Sequence, residues 1–324
     1  MTASFRSRLG KRIAAFVALK RALGRGYFSE TYTLAHLDRF LAARRLAALT
    51  PAAFTAWTMT FVHTTPTVRR ARMLVVRKLC LYLRRTDSRC FVPDSRGFPT
   101  PHTPRRPHIF TREQISALIR AATKLPARST SLLRGEVFRL AIVLLYTTGL
   151  RRNELVRLVM SDYNSEQRTL LIRASKFHKS RVVALSRTAA DEMDRYLGAR
   201  RRLPHHADAP LLINNYEGLG GYSGASFGFA MRQLFRETGI RTTDGRVPRV
   251  HDLRHTYAVH ALLRWYHDGA DVQAKLPVLS TAMGHVSVAS TAHYLALLEP
   301  VAEAASGRFE RHCRAIFGTR GKKL

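Results

Sequence analysis

Apolar residues recur at helical spacing through the first part of the chain. Between Val68 and Leu83 they return every three or four positions, which is the pattern of a helix with one buried face. The same pattern predicts helices over Lys11–Leu23, Thr31–Leu46, Pro51–Val62 and Thr67–Arg85. We find no competing strand pattern there, so the sequence predicts a small helical domain over residues 1–92.

A proline-rich segment follows this domain. Residues 93–107 contain five prolines together with Gly97. Proline lacks the backbone N–H that a helix interior needs, so this segment cannot sustain a helix. It is predicted to be an extended linker that leads into a second domain over residues 108–324.

The second domain mixes helices with one predicted hairpin. Thr111 is a plausible N-cap, and the strong apolar spacing over Glu136–Thr147 predicts a buried helix that Gly149 ends. Two β-rich runs, Thr169–Arg173 and Arg181–Leu185, predict a hairpin. Further helices are predicted over Thr188–Arg202, Ala225–Thr238, His251–His267, Leu276–Met283 and Thr291–Leu298.

The predicted fold class is therefore mainly α with a small β-hairpin or sheet (α+β). The glycine-rich segment Gly218–Gly224 lacks the preceding strand and the Lys-Ser/Thr pair of a phosphate-binding loop. We interpret it as a flexible connection between elements.

Charge indicates the class of partner. The 324 residues include 54 Lys or Arg and 22 Asp or Glu, which gives a net charge of +32. Such a chain repels itself unless it meets a polyanion, so nucleic acid is the expected partner. The 46% of hydrophobic residues exclude disorder driven by charge. Phosphate contacts are predicted for Lys179 and for the basic residues that flank the last N-terminal helix, Arg69, Arg70, Arg77 and Lys78.

Cysteine usage and apolar run length suggest the cellular compartment. The three cysteines show neither CxxC nor zinc-type spacing, which fits a reducing cytosol. The longest apolar run, Ala141–Tyr146, is too short to span a bilayer. We expect a cytoplasmic protein without a membrane partner. The acid-free start before Glu30 also resembles a mitochondrial transit peptide, but a basic first helix is the favoured interpretation.

The first motif with chemistry lies after the buried helix. In Thr148-Gly149-Leu150-Arg151-Arg152-Asn153-Glu154-Leu155, one helix stops at the glycine and another begins near Arg152. Arg151 therefore sits at a helix-to-helix corner, where its guanidinium can offer a fork of donors to two phosphate oxygens. Glu154, three residues later, is in reach to orient it.

The second motif is His251-Asp252-Leu253-Arg254-His255. A spacing of three puts His251 and Arg254 on one helical face. His251 and His255 also have the spacing of a zinc-binding helix, but the intervening Glu is missing, and the Arg254 cation would repel a metal. We therefore predict no metal here.

The third motif is Gly284-His285 followed by Tyr294 nine residues later, in a short helix that Ser290 begins. A helical tyrosine beside leucines is more often a core residue than a nucleophile. The other two motifs favour the nucleophile.

In order and approximate spacing, the motifs resemble the catalytic signature of the tyrosine recombinase (phage integrase) family over about residues 108–300. The family places a lysine on a strand-turn-strand element, which matches Lys176 in the predicted hairpin. Xer-like members have glycines where this chain has Ser175 and Phe177, so Lys179 stays open as an alternative. The interval from Arg254 to His285 contains an extra stretch, Arg264–Leu279, that is similar to transposon-encoded members.

The resemblance implies a site-specific recombinase or integrase, encoded by a mobile element, that cuts and rejoins DNA on the bacterial nucleoid. Tyr294 would form a 3′-phosphotyrosyl intermediate, and Arg151 and Arg254 would clamp the phosphate. His251 would be the general base or relay, Lys176 the general acid and His285 a hydrogen-bond donor. This chemistry requires no cofactor and no metal.

The expected partners are double-stranded DNA and further recombinase subunits, in a homo-tetramer or in an assembly with related recombinases. A tail helix over Val301–Phe317 either docks on a neighbouring subunit or packs on its own domain. Two alternatives remain open at this point: a type IB topoisomerase-like relaxing enzyme and a non-catalytic DNA-binding accessory protein.

Overall fold

The computed structural model describes residues 5–101, 105–129, 131–173, 180–215, 217, 220–285, 287–297, 306–307 and 309–310. The chain divides into two compact units, Met1–Arg105 and Arg106–Leu324. Lys176, Lys179 and most of the predicted tail helix lie outside the described residues.

The first unit is a bundle of helices. They are α1 (Gly10–Ala22), α2 (Phe28–Ala43), α3 (Pro51–Met59) and α4 (Pro66–Leu83), followed by a 3₁₀ turn at Ser95–Gly97. Thr50 and Thr65 cap α3 and α4 by accepting hydrogen bonds from the backbone N–H groups of Ala53 and Val68. Trp57 is fully buried at the centre of the apolar core. The helices predicted for this part of the sequence are confirmed.

The buried face of α4 differs from the predicted one. Met73, Val76 and Leu83 are buried, whereas Val68 is exposed. Val68 lines an open groove beside Tyr32 of α2. The apolar spacing predicts a buried face that begins one turn too early in α4, because spacing alone does not show where the neighbouring helices stop covering this helix.

The second unit contains the remaining helices. They are α5 (Arg112–Thr123), α6 (Arg134–Thr148), α7 (Arg152–Leu155), α8 (Arg187–Arg200), α9 (Gly224–Glu237), α10 (Val250–His267), α11 (Val272–Met283) and α12 (Ala289–Leu297). Thr111 caps α5 in a capping box with Gln114, as its position in the sequence predicted. Buried side chains cover nearly the whole circumference of α6, which is the central helix of the core.

Two small antiparallel sheets accompany these helices. A 3₁₀ turn (Met160–Asp162) leads into β1 (Tyr163–Asn164), which pairs with β2 (Thr169–Ile172), and β2 pairs with β3 (Arg181–Ala184). The predicted hairpin is confirmed, and β1 is an additional strand. The second sheet joins β4 (Ile213–Asn215) to β5 (Gly220–Gly221).

The prediction of a flexible connection over Gly218–Gly224 is wrong for the two glycines of β5. A Cβ at Gly221 would stand 2.8 Å from the Pro210 side chain. The glycine therefore allows a close backbone approach within a sheet, a use that composition does not distinguish from a flexible loop.

The last three helices form a second core of this unit. Leu262 of α10, Leu276 and Met283 of α11, and Tyr294 of α12 are buried together. Helix α11 begins at Val272, four residues before its predicted start, because Asp271 caps it by accepting a hydrogen bond from Ala274. The extra stretch Arg264–Leu279 thus belongs mostly to α10 and α11 rather than to a loop.

No helix in the described part of the chain is both long and apolar enough to cross a membrane.

Candidate active site

The site is organised around the corner between α6 and α7. Gly149 ends α6 with a φ of +64°, a backbone conformation that disfavours residues with a Cβ. A Cβ at this position would also collide with the ring of Tyr257. Arg151 follows as the N-cap residue of α7, so the predicted corner is present.

Arg151 is held by Glu154 of α7, three residues away, and by the end of α11, which is distant in sequence. Its Nη1 donates to Glu154 Oε1 at 2.7 Å, and its Nη2 donates to the carbonyl oxygen of Gly284 at 2.8 Å. About a quarter of the side chain, 26%, remains exposed. The guanidinium is therefore fixed in orientation and still accessible.

Arg254 is almost completely buried, with an exposed fraction of 1%. Its Nη1 donates to the carbonyl oxygen of Gly149 at 2.5 Å, and its Nη2 donates to that of Met283 at 2.8 Å. Burial and the neighbouring Arg151 cation lower the pKa of Arg254 to about 10, so it is still a cation at neutral pH. The neighbouring guanidiniums of Arg151 and Arg254 favour an anion between them.

Tyr294 lies on α12 and is buried, with an exposed fraction of 6%. Its Oη lies 3.0 Å from Nδ1 of His255. Burial raises the pKa of Tyr294, and the charges of Arg254 and Arg151 oppose that rise. The phenol is therefore protonated at neutral pH and hydrogen-bonded to a histidine.

His251 contacts His255, the histidine that is hydrogen-bonded to Tyr294. The His251 and His255 rings meet edge to face, with centroids 4.7 Å apart. His251 is exposed at a pocket, yet partial desolvation and the Arg254 charge lower its pKa to about 4. Its imidazole is neutral at neutral pH and able to accept a proton.

His285 directly follows the C-cap of α11 and is oriented by α12. Its Nδ1 lies 2.7 Å from the hydroxyl oxygen of Thr291, which is fully buried. Burial and the Arg254 and Arg151 charges lower the pKa of His285 to about 4. If the Thr291 hydroxyl donates to Nδ1, the imidazole proton is on Nε2, which is then a donor toward a substrate.

A basic pocket of about 430 Å³ opens beside this cluster. Arg151 and His251 are among its lining residues, together with Arg152, Arg232 and Arg249. None of the described residues that line it is acidic. The pocket is suited to an anionic ligand.

Residues 108–299 match the model of the phage integrase family. The chain belongs to the phage integrase family. It is 30% identical over 302 residues to y4rB and 32% identical over 293 residues to y4rE, both named integrase/recombinase, of Sinorhizobium fredii (strain NBRC 101917 / NGR234). These alignments cover 92% and 89% of this chain and 96% and 91% of the relatives. The tyrosine recombinase XerD of Brucella abortus is 29% identical, over 72% of this chain and 73% of its own.

Solved structures of an integrase and a recombinase show the same fold. The Tn1549 transposon integrase in complex with a circular intermediate DNA aligns with a TM-score of 0.63 at 16% identity, over 93% of this chain and 99% of that chain. The XerH recombinase bound to its difH substrate aligns with a TM-score of 0.58 at 18% identity, over 87% and 79%. The predicted fold class is confirmed, and so is the predicted enzyme class, a tyrosine recombinase that cleaves and rejoins DNA strands.

The structure of this phage integrase family member brings most of the predicted site residues together. Arg151, Glu154, His251, Arg254, His285 and Tyr294 belong to one cluster. The predicted phosphate-contact residues lie on α4 of the first unit. There Lys78 is exposed, Arg69 and Arg77 are half-buried, and Arg70 donates to the carbonyl oxygens of Phe98 and Pro99.

Two members of the cluster were missed by the sequence analysis. His255 contacts Tyr294, although His251 was assigned the role beside the phenol. Arg181 of β3 pairs with Glu154, with Nη2 2.9 Å from Oε2. Helical spacing could have indicated His255, because it lies one turn from His251 on the same helix. No local sequence pattern could have indicated Arg181, because its partners are distant in sequence.

Proposed function

We propose that this recombinase cuts and rejoins double-stranded DNA at a specific site through a 3′-phosphotyrosyl intermediate at Tyr294. The observation that carries the proposal is that Arg151 and Arg254 are fixed on carbonyl groups at the ends of α6 and α11, close to a tyrosine that is hydrogen-bonded to a histidine. This arrangement pairs a preorganised anion clamp with a nucleophile.

In this proposal the two arginines hold the non-bridging oxygens of the scissile phosphate. A guanidinium has five N–H donors, and the bonds to protein carbonyls and to Glu154 occupy only part of them. The remaining donors meet the phosphate, where negative charge increases as the pentavalent transition state forms. His285 adds a hydrogen bond from its Nε2.

The proton of the phenol leaves through the adjacent histidines. Tyr294 Oη transfers it to Nδ1 of His255 while the oxygen attacks phosphorus, and His251 serves as the relay or base on the pocket side. The P–O5′ bond breaks, and the 5′ oxygen takes a proton from Lys176, or from Lys179. The freed 5′-hydroxyl of a partner duplex later attacks the phosphotyrosine, so the bond energy is conserved.

The wider surface holds the duplex. We propose that Arg69, Arg70, Arg77 and Lys78 contact backbone phosphates, which gives salt-dependent affinity. The functional unit is a homo-tetramer on DNA or an assembly with related recombinases. The relatives named integrase/recombinase and the transposon integrase support a mobile-element enzyme. We propose that it acts on the bacterial nucleoid.

Covalent trapping tests the proposal. The substrate is a duplex selected for binding from a random-sequence pool, with a nick next to the cut so that the short 5′-hydroxyl fragment diffuses away. The wild-type protein should form a covalent adduct, and Tyr294→Phe should form none. Tyr266→Phe is the matched control, because that tyrosine packs on the same core without a hydrogen bond to any described residue of the proposed set. An adduct with Tyr294→Phe would refute the nucleophile assignment.

A second measurement separates recombination from DNA relaxation. Recombination requires two copies of the selected site and should yield exchanged products with the wild-type protein. Relaxation of plasmids that lack the site, without exchanged products, would contradict the site-specific role.

A further inference from the structure

Three successive carbonyl groups at the end of α11 each accept a hydrogen bond from a different arginine. Ala282 accepts from Arg181 Nε at 3.0 Å, Met283 from Arg254 Nη2 at 2.8 Å, and Gly284 from Arg151 Nη2 at 2.8 Å. The last carbonyls of a helix lack intrahelical partners and lie at the negative end of its dipole, so they favour cations. Arg181 therefore shares one anchoring point with the two proposed catalytic arginines.

Arg181 also controls the carboxylate that orients Arg151. Its Nη1 and Nη2 donate to the two oxygens of Glu154 at 3.2 and 2.9 Å. The same carboxylate accepts Arg151 Nη1 and the Arg151 backbone N–H. Burial alone would raise the pKa of Glu154, but its hydrogen bonds with Arg181 and Arg151 lower it to about 2. Glu154 is thus an anion shared between two guanidiniums.

Arg181 packs against the turn that precedes His285. Gly284 has a φ of +66°, and a Cβ there would lie 2.7 Å from Arg181 Nη1. The guanidinium lies over the backbone of this glycine, and the Arg181 side chain is only 10% exposed. One side chain therefore fixes both the carboxylate beside Arg151 and the turn that carries His285.

We propose that Arg181 is a positioning residue for strand cleavage, which holds Arg151 and the Gly284–His285 turn in the geometry that clamps the phosphate. The inference rests on the function proposed above. Two cations and one anion leave a net positive charge on Arg181, Glu154 and Arg151. Without Arg181, Glu154 would neutralise Arg151, and the clamp would lose attraction for a negatively charged phosphate.

The test compares two substrates in single-turnover cleavage. One has the normal scissile phosphate, and the other has a methylphosphonate, in which a methyl group replaces one non-bridging oxygen and removes its negative charge. Arg181→Ala should slow adduct formation about 10²-fold on the phosphate and less than about 10-fold on the methylphosphonate, because the second substrate needs less positive charge. Arg151→Ala should show the same preference.

Arg173→Ala is the matched control. Arg173 directly follows β2, on the turn side of the same hairpin, and pairs with Asp162 rather than with Glu154. It should behave like the wild-type protein on both substrates. Arg181→Lys keeps the charge but cannot make all three bonds of the planar guanidinium, so it should lie between Arg181→Ala and the wild-type protein.

Equal slowing of Arg181→Ala and Arg181→Lys on both substrates would show a purely structural role and overturn the proposal. So would wild-type rates for both variants. If the wild-type protein forms no adduct at Tyr294, the proposed function fails by itself. If it does and the Arg181 variants match it, only this inference fails.

Discussion

Two sets of arginines, one in each unit of the chain, are held in opposite ways. In the first unit, the ion pairs Arg89–Asp87 and Arg96–Asp94 have arginine side chains that are 92% and 93% exposed. Arg69 and Arg77 are half-buried, and their buried atoms Arg69 Nε and Arg77 Nη1 have no hydrogen-bond partner among the described residues. In the second unit, Arg254 is buried and bound to helix-end carbonyls. Arginine is therefore loosely held at these positions of the first unit and fixed at Arg254 of the second.

This difference distinguishes arginines that provide affinity for DNA from arginines that act in strand cleavage. Contacts to backbone phosphates tolerate small shifts, because salt-dependent binding depends on the number of charges near the duplex. A transition state needs donors that are already in place, and reorienting them costs rate. The net charge of +32 does not reveal which arginines serve which purpose, whereas their hydrogen bonds do.

The largest expected effect comes from the most fixed arginine. Arg254→Ala should lower the rate of adduct formation about 10³-fold, because a buried donor to the transition state is lost. DNA binding in a gel shift should change little. Lys78→Ala, on the exposed side of the first unit, is the contrast and should keep the cleavage rate at saturating DNA. Equal losses of binding and cleavage in Arg254→Ala would make this arginine a phosphate anchor instead.

The next effect concerns the shared carboxylate. Glu154→Gln should lower the free energy of unfolding by about 3 kcal/mol at neutral pH, because Arg181 would lose its buried ionic partner. The folded-state pKa of Glu154, about 2, lies below its unfolded value of about 4.3. The stabilisation is therefore complete above the unfolded pKa and is lost as pH falls toward about 2.

Urea unfolding between neutral and acid pH measures this effect. The difference between the wild-type protein and Glu154→Gln should shrink as the pH drops. Glu192→Gln is the matched control, since Glu192 also pairs with two arginines, Arg139 and Arg195, outside the proposed site. It should leave cleavage unchanged. A stability difference for Glu154→Gln that is independent of pH would contradict the ionic account.

The sequence was sufficient for the helices, for the β2–β3 hairpin and for most of the cluster, but not for β1, the second sheet or the connections within the cluster. The corner at Arg151 was predictable because a glycine ends a periodic apolar helix, which is a local signal. Arg181 was not, because it bonds to Glu154 and to Ala282, 27 and 101 residues away. Helical spacing gave the face that carries His251 and His255, but the choice between them depends on where α12 packs.

A smaller effect should appear in the salt dependence of binding. Arg69→Gln combined with Arg77→Gln should reduce the slope of log affinity against log salt by about 0.9 for each phosphate that the variant no longer neutralises. Cleavage at saturating DNA should stay constant. Arg89→Gln removes a charge from an exposed ion pair and is the control. An unchanged slope in the double variant would mean that these arginines do not face DNA, and the contrast between the units would weaken.

The smallest effects should show whether the two units also differ as folding units. Thr65 caps α4 in the first unit, and Thr111 caps α5 in the second. Each change to alanine should lower the free energy of unfolding by about 1 kcal/mol, because one backbone N–H at the helix start loses its acceptor.

Hydrogen exchange of the backbone amides measures which helices lose stability in each variant. Thr65→Ala should speed exchange in α1–α4 alone, and Thr111→Ala in the helices around α6 alone, since each cap stabilises its own core. Equal acceleration in both units with either variant would show that they unfold together, and the separation of an adaptable unit from a fixed one would then not extend to stability.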